Sequence, residues 1–177
     1  MSDVWKRLEA LPEVSNPGDA KAAVLLPLYD DDQGNTRIIL TKRPDFMRTH
    51  PGDIVFPGGR IEVGEHPAET ATREAWEEIR LPVESVTIIG GLSAMTTRDP
   101  SNWIIPVVGR VERPDELVPD EREVESIIEP ELSELFDEER WVTRDFMGYD
   151  LWFFEFDEGV MWGATAFIFR EFLTYVR

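Results

Sequence analysis

The stretch that decides the fold runs from Gly59 to Leu81 and reads GRIEVGEHPAETATREAWEEIRL. Its second half predicts a helix from about Pro67 to Arg80, because proline is favoured in a first turn and Pro82 follows the end. At about 100° per residue, small and apolar side chains form a stripe along one side of this helix. The stripe, which predicts a buried face, consists of Ala68, Ala71, Thr72, Ala75 and Ile79.

Three glutamates of this helix, Glu74, Glu77 and Glu78, share one face that spans about 100° beside the stripe. At about 6 Å and an effective dielectric constant of about 20, each pair repels by roughly 3 kcal/mol at most, and by less when solvated. A hard divalent cation turns such a cluster into a binding site, because Mg²⁺ prefers oxygen ligands. On the glutamates alone, a solvated acidic face is the simpler interpretation in a chain with 36 acidic residues.

The residues around the helix favour the metal site over a solvated face. Pro57-Gly58-Gly59 lets the backbone approach a ligand closely, since glycine has no side chain. Glu65 lies six residues after Gly59, and Arg73 directly precedes Glu74. This combination of an acidic cluster, a glycine turn and one cation predicts a metal-binding site.

These residues resemble a known motif. Gly59, five residues, Glu65, seven residues and then Arg73–Glu78 are similar to the Nudix box of hydrolases that act on nucleoside diphosphates linked to another group. The resemblance implies an α/β/α sandwich with a mixed β-sheet flanked by helices. It also implies cleavage of a diphosphate by water, with Mg²⁺ or Mn²⁺ as the cofactor.

The resemblance also implies a role for each residue of the box. Glu74, Glu77 and Glu78 would be the metal ligands, with Glu74 sometimes serving instead as the base. Arg73 would orient the carboxylates as an ion-pair partner. Glu65 would be an outer metal ligand or a support for the end of the helix.

Two further expectations come from this resemblance. Arg80 stands where the family pattern has glycine, which predicts a different C-terminal cap for the helix. A further carboxylate from another loop would take a proton, and Glu121, Glu123 and Glu125 are the candidates. We favour Glu123, because Glu-Val before an apolar strand is where the family often places its late glutamate; a plain loop charge is the alternative.

The segment Leu40–Gly59, LTKRPDFMRTHPGDIVFPGG, resembles the additional signature of the coenzyme A diphosphatases within the Nudix superfamily. Pro44 and Asp53 depart from that signature. Lys42 and Arg43 belong to the densest basic cluster of an acidic chain, which suits an anionic substrate; pairing with nearby acids is the alternative. The resemblance implies substrate contacts from Arg43, Arg48, His50, Gly52, Pro57, Gly58 and Gly59.

Composition bounds the class of protein. The 177 residues, 42% of them apolar, suit one domain with a full core. The net charge of −18 argues against a nucleic-acid or membrane-surface partner. The absence of cysteine excludes disulfides, thiolate catalysis and cysteine-ligated zinc. Charges in Met1–Glu9 and the lack of a long apolar run predict a cytoplasmic protein without a signal peptide or membrane span.

We divide the chain into an N-terminal helix with its connector, residues 1–21, and a single Nudix hydrolase domain, residues 22–177. Pro106 lies inside a predicted strand, which indicates an edge or a bulge there. Strands are expected at Ala22–Tyr29, Arg37–Thr41, Val86–Ala94, Trp103–Glu112 and Leu151–Phe156, and helices at Pro130–Phe136 and Thr165–Tyr175.

The function predicted from these patterns is hydrolysis of the diphosphate of coenzyme A or acyl-CoA. The products would be a 4′-phosphopantetheine moiety and adenosine 3′,5′-bisphosphate. A Nudix enzyme acting on ADP-ribose or another nucleoside diphosphate derivative is the first alternative, and a nucleotide-binding module without turnover is the second. The partner would be a small CoA-like diphosphate, and a homodimer is one option for assembly.

Overall fold

The computed structural model describes residues 3–16, 18, 20–96, 101–146 and 148–177. Short 3₁₀ turns lie at Val83–Ser85, Leu132–Phe136 and Glu138–Arg140. The helices and strands in chain order are Asp3–Leu8 (α1), Ala20–Asp30 (β1), Thr36–Ile38 (β2), Leu40–Lys42 (β3), Ile54–Val55 (β4), Gly58–Arg60 (β5), Pro67–Ile79 (α2), Val86–Gly91 (β6), Met95–Thr96 (β7), Trp103–Val111 (β8), Ser126–Ile128 (β9), Trp141–Phe146 (β10), Tyr149–Glu155 (β11), Val160–Trp162 (β12) and Gly163–Val176 (α3).

A six-stranded mixed sheet carries the site. Its main path is β2-β1-β8-β6, while β5 pairs with β1 and β7 pairs with β8. Strands β1 and β8 are parallel, with Leu25 opposite Val107, and the other pairs are antiparallel. Because β5 pairs with β1, the turn that precedes α2 is fixed to the centre of the sheet.

Two smaller antiparallel sheets complete the fold, in the orders β4-β3-β9 and β10-β11-β12. In the first, Leu40 lies opposite Ile128, so segments almost ninety positions apart in sequence are paired. The second joins the first through a bridge between Asp53 and Val160. These sheets place the segment between β3 and β4 beside the end of β12.

Helices cover both faces of the main sheet. On one face, Ala71, Ala75 and Ile79 of α2 pack in one core with Ala23 and Leu25 of β1. On the other face, α1 and α3 pack in a second core, where Phe169 and Phe172 join the alternate residues Leu26 and Leu28. The predicted sandwich of helices around a mixed sheet is therefore confirmed. Trp5 and Leu8 share that second core, and the division at residue 21 stays a prediction.

The predicted single strand Arg37–Thr41 is wrong as one element. It is divided between β2 in the main sheet and β3 in a smaller sheet. At the break, the Ile39 N–H donates to the Pro27 carbonyl at 2.9 Å, while the Ile38 N–H donates to the Pro130 carbonyl at 3.2 Å. Successive N–H groups thus bond to segments on opposite sides of the chain, and the chain passes from the main sheet into the smaller sheet.

The expectation of an edge or bulge at Pro106 is correct only locally: β8 is a central strand, but its pairing on one side is interrupted there, between Val107 opposite β6 and Ile104 opposite β7. Pro106 faces Val24 of β1, and its carbonyl accepts from the N–H of Leu92 at 3.0 Å, just after the end of β6. A proline is tolerated here because the neighbouring strand has already ended. None of the helices in the described residues is long and apolar enough to cross a membrane.

Candidate metal and diphosphate site

Helix α2 begins at a two-way cap. The His66 imidazole Nδ1 accepts from the Ala68 N–H at 3.3 Å, and the Glu69 carboxylate accepts from the His66 N–H at 2.8 Å. Pro67 follows as the first helical residue. This cap fixes the start of α2 and hence the angular position of the glutamates that follow.

The end of α2 has the conformation that a glycine would adopt. Arg80 lies in the left-handed region with φ 56° and ψ 32°. Its Nη1 donates to the Trp76 carbonyl at 3.3 Å, and its guanidinium lies 5.5 Å from the centre of the Trp76 ring. The expectation of a different cap is therefore wrong: arginine takes the same backbone form, and its side-chain contacts offset part of the cost.

Two adjacent glycines bring the backbone against the acidic face of α2. A Cβ on Gly59 would lie 2.4–2.6 Å from the carboxylate atoms of Glu74, and one on Gly58 would lie 2.5 Å from the Ala23 carbonyl oxygen. The Gly58 N–H donates to Glu78 Oε2 at 3.2 Å. Position 58 therefore excludes a side chain, whereas a side chain at position 59 would have to displace the Glu74 carboxylate.

Arg73 connects the carboxylates around it. Its Nε and Nη2 bind the two oxygens of Glu65 at 2.8 and 3.1 Å. Its Nη1 donates to Glu74 at 2.8 Å and to Glu77 at 3.2 Å, and Nη2 also donates to the Arg60 carbonyl. One guanidinium thus sets the positions of three carboxylates and ties them to β5.

Glu65 is fully engaged at the start of α2. Besides Arg73, its Oε2 accepts from the Thr70 hydroxyl at 2.6 Å and from the Glu62 N–H at 3.1 Å. The hydrogen bonds from Arg73 are the main reason that the pKa of Glu65 falls to about 2. This geometry suits the support of the helix end better than direct metal ligation.

The three glutamates of the acidic face differ in burial. Glu78 is only 8% exposed, whereas the side chain of Glu77 is 55% exposed and that of Glu74 is 14% exposed. Burial raises the pKa of Glu78 to about 8 and also raises the pKa of Glu74. A buried carboxylate with a raised pKa needs a proton or a cation beside it.

The donor set fits a hard cation, because Glu74, Glu77 and Glu78 offer only carboxylate oxygens from one helix face. In the part of the chain that the structure describes, no three acidic or histidine side chains converge as a ready-made metal cage. The reason is visible in their partners: Glu74 and Glu77 bind Arg73, while Glu78 binds the Gly58 N–H.

The loop before β9 brings one predicted carboxylate to the acidic face. This loop is fastened to α2, since the Asp120 N–H donates to the Glu78 carbonyl at 2.8 Å. Glu123 is close enough to raise the pKa of both Glu74 and Glu78 through charge repulsion. Glu125 instead pairs with Lys42 Nζ at 2.6 Å. Of the candidate bases, Glu125 is therefore engaged with Lys42, and the choice of Glu123 over Glu121 stays a prediction.

The basic cluster is only partly available to an anion. Lys42 is paired with Glu125, so the alternative of an internal ion pair is right for this residue. Arg43 Nε is buried without a hydrogen-bond partner in the described residues, and the Arg43 charge lowers the pKa of Glu78. Arg48 and His50 are exposed. Within this basic cluster, Arg43 is thus the cation whose charge acts on the acidic face, in addition to Arg73 on α2 itself.

The turn that carries these cations depends on Gly52, which has φ 71° and donates its N–H to the Arg43 carbonyl at 3.1 Å. A Cβ on Gly52 would lie 2.9 Å from Asp45 Oδ1. Pro57, whose carbonyl accepts from the Leu25 N–H at 2.8 Å, anchors the glycine turn to β1.

Several residues near the site were not predicted from the sequence. A cavity of about 420 Å³ borders Gly59 and is also lined by Lys21, Ala22, Arg60 and Asn102. Arg60 directly follows the first glycine of the box, which is the one sequence signal that could have identified it. Lys21 lies in β1 and Asn102 directly precedes β8, so the pairing of these two strands brings them there, and no local pattern marks them.

Comparison with known proteins agrees with this geometry. The family model described as NUDIX domain matches residues 19–149. The chain belongs to the Nudix family. A Nudix hydrolase of M. smegmatis, RenU, has the same fold, with a TM-score of 0.58 and 22% identity over 67% of this chain and 74% of that one.

Two curated Nudix relatives come from Caenorhabditis elegans. Nudix hydrolase 3 is 38% identical over 70% of this chain and 51% of its own length. Peroxisomal coenzyme A diphosphatase ndx-8 is 33% identical over 93% of this chain and 73% of its own length. The chain thus spans about half the length of Nudix hydrolase 3 and almost three quarters of the diphosphatase.

Proposed function

We propose that this Nudix protein is a metal-dependent hydrolase of the diphosphate bond in coenzyme A or acyl-CoA. One observation carries the proposal: Arg43, whose buried Nε has no hydrogen-bond partner among the described residues, has a charge that lowers the pKa of Glu78, against the larger effect of burial that raises it. A diphosphate bound between Arg43 and Glu78 would contact a cation from the segment between β3 and β4. It would also lie beside the α2 carboxylates that could hold a metal. The similarity to a relative named as a coenzyme A diphosphatase supports this choice of substrate.

Glu74, Glu77 and Glu78 would hold Mg²⁺ or Mn²⁺ in this proposal. When bound, the ion neutralises charge on the diphosphate and lowers the pKa of an attacking water. Arg73 keeps Glu74 in place, and the Gly58 N–H does the same for Glu78. Glu65 binds Arg73 through both carboxylate oxygens, so its role would be to hold the Arg73 guanidinium in position.

The chain's own groups account for the movement of charge. Glu123 would accept the proton of the water whose oxygen forms the new bond to phosphorus. The bridging P–O bond then breaks, and the leaving phosphate retains the electron pair. Arg43 would donate to a phosphate oxygen and stabilise the charge that develops there. Arg48 and His50, both exposed on the segment between β3 and β4, would bind phosphate groups of the substrate.

A panel of substrates tests the proposal. Purified protein with Mg²⁺ is incubated separately with CoA, 3′-dephospho-CoA, ADP-ribose and NADH, and the products are separated by chromatography. Preferential release of adenosine 3′,5′-bisphosphate from CoA is expected. Cleavage of ADP-ribose or NADH without cleavage of CoA would support a diphosphatase reaction but would contradict CoA as its substrate. No turnover of any compound would favour the nucleotide-binding module. The cytoplasmic location and the homodimer stay predictions.

A further inference from the structure

The segment between β3 and β4, residues 43–53, contains an unusual backbone conformation at His50. This residue has φ 54°, in the left-handed region that non-glycine residues rarely occupy. Its side chain is 62% exposed. The Asp53 N–H closes the turn on the His50 carbonyl at 3.4 Å, and the Arg43 N–H donates to the Asp53 carbonyl at 2.9 Å. An exposed imidazole is thus held on a constrained turn that also carries Arg43.

Two side chains fix the His50 ring. Its Nδ1 lies 3.0 Å from Asp53 Oδ2, and the Asp53 side chain is only 17% exposed. On another side the Trp162 ring lies against it, with 5.7 Å between the ring centres and an angle of 49°. The imidazole is therefore restrained by a carboxylate and by an aromatic surface, while it stays open to solvent.

Trp162 is itself held by the neighbouring sheet. It lies opposite Phe153 in the pairing of β11 with β12, and the two rings are stacked with centres 5.8 Å apart and an angle of 1°. The Arg144 guanidinium lies 5.1 Å from the Phe153 ring centre. These contacts form one column of side chains, Arg144-Phe153-Trp162-His50, which ends at the segment between β3 and β4.

The backbone also ties this sheet to the His50 turn. Asp53 forms a bridge with Val160 of β12. A Cβ on Gly159 would lie 2.7 Å from the Gly52 carbonyl oxygen, so the two chain segments are in close contact. Two segments more than a hundred positions apart in sequence thus contact each other next to the His50 turn.

The carboxylate partner determines which ring nitrogen is free. When the Asp53 carboxylate accepts the Nδ1 proton, Nε2 is the nitrogen left to face a ligand. In the imidazolium form, Nε2–H is a charged donor that suits a phosphate oxygen. His66 differs, because its Nδ1 accepts from a backbone N–H and carries no proton in that bond. The chain's other histidine therefore serves as an internal reference.

We propose that Asp53 and Trp162 are positioning residues that hold His50 with its Nε2–H directed to an anionic phosphate group of the substrate. This inference rests on the proposed function for the identity of the substrate. The phosphate belongs either to the 3′-phosphate monoester or to the diphosphate that is cleaved. Asp53 is one of the positions where this chain departs from the coenzyme A diphosphatase signature.

Kinetics with CoA and with 3′-dephospho-CoA test the positioning role. Asp53→Asn keeps the size of the side chain and removes its charge, and we expect KM to rise about tenfold with kcat changed less than about twofold. Trp162→Leu should act in the same direction, and Trp162→Phe should restore most of the loss. A KM increase confined to CoA assigns the 3′-phosphate, and an equal increase with both compounds assigns the diphosphate. An unchanged KM with both would overturn the proposal.

A second readout needs no turnover. The chain has two histidines, so long-range ¹H–¹⁵N spectra of the full protein contain two imidazoles, and His50→Asn identifies one of them. Titration with inorganic phosphate should shift the His50 signals and leave those of His66 in place, with about tenfold weaker binding in Asp53→Asn. Shifts of equal size in both imidazoles, or unchanged affinity in Asp53→Asn, would overturn the positioning role. Intact phosphate binding without CoA cleavage would contradict the proposed function alone.

Discussion

The Glu74 carboxylate occupies the space that a side chain at position 59 would need. In Gly59→Ala, the new Cβ would lie 2.4–2.6 Å from that carboxylate, and one of the two must move. Because Glu74 is a flexible side chain, we expect the fold to persist while the carboxylate is displaced. A displacement of about 1 Å at a reacting centre costs on the order of 10²-fold in kcat/KM, which steady-state kinetics would measure.

Gly34→Ala is the matched control for that substitution. Gly34 lies in the β1–β2 hairpin with φ 83°, and a Cβ there would meet nothing within 4 Å in the described part of the chain beyond its own neighbours in sequence. Its substitution should lower the free energy of unfolding by about 1 kcal/mol through backbone strain, with kcat/KM unchanged. If Gly59→Ala instead lost stability and kept its activity, Glu74 would not be a residue of the site.

At the scale of the element, the end of α2 offers a clean comparison. Arg80→Gly removes the cost of a left-handed non-glycine residue, about 1 kcal/mol, and loses a cation–π contact of about 0.5–1 kcal/mol. We expect stability to be equal or slightly higher. Arg80→Ala keeps the strain and loses the contacts, so it should be the less stable variant by urea unfolding. The opposite order would mean that Arg80 does not adopt the left-handed form in solution.

A second element-level feature joins β1 to the segment after β9. The Tyr29 hydroxyl donates to Glu129 at 2.5 Å, and Arg113 binds both oxygens of the same carboxylate. Burial first, and then the bond to Glu129, raise the pKa of Tyr29 to about 12. Because the folded pKa exceeds the ordinary value near 10, this contribution to stability is complete below pH 10 and is lost as the pH rises through 12.

Tyr29→Phe tests that network. The variant should be less stable at pH 7 by about 1.5–3 kcal/mol, as for a hydrogen bond to a charged group. The difference from the natural protein should shrink between pH 10 and 12, because the Tyr29 hydroxyl ionises there in the unfolded chain but not yet in the folded protein, and the variant lacks this group. The chain has three tyrosines, and absorbance at 295 nm should lose its step near pH 12 in the variant. A step that persists would assign the high pKa to another tyrosine.

The elements also show what local sequence could predict. For α2, the stripe of Ala71, Ala75 and Ile79 and the flanking prolines were sufficient, and the observed helix ends one residue before the predicted end. The strand β10 was missed, because WVTRDF carries little apolar periodicity and depends on its pairing with β11. The contact between His50 and Trp162 was missed for the same reason: it joins segments that only the tertiary fold brings together.

The whole molecule carries a net charge of −18, which opposes compactness through self-repulsion. Added NaCl should therefore raise the melting temperature by screening. MgCl₂ at the same ionic strength should add a further increase of about 3–6 °C at ten times its Kd, because binding stabilises the folded state. The exposed Glu77 lets Glu77→Gln serve as the comparison, and we expect the Mg²⁺ increment to fall in that variant. An equal response to both salts would contradict a specific metal site.

The most direct test of a metal-dependent diphosphatase site on α2 is the rate of CoA cleavage in Mg²⁺ by three proteins: the natural chain, Glu78→Gln and Glu84→Gln. Glu84 is an exposed carboxylate just beyond the helix, so its variant controls for the loss of one negative charge. We expect Glu84→Gln to retain full activity and Glu78→Gln to lose about 10²-fold or more, with its folded state intact by circular dichroism. Equal cleavage by all three proteins would contradict the site.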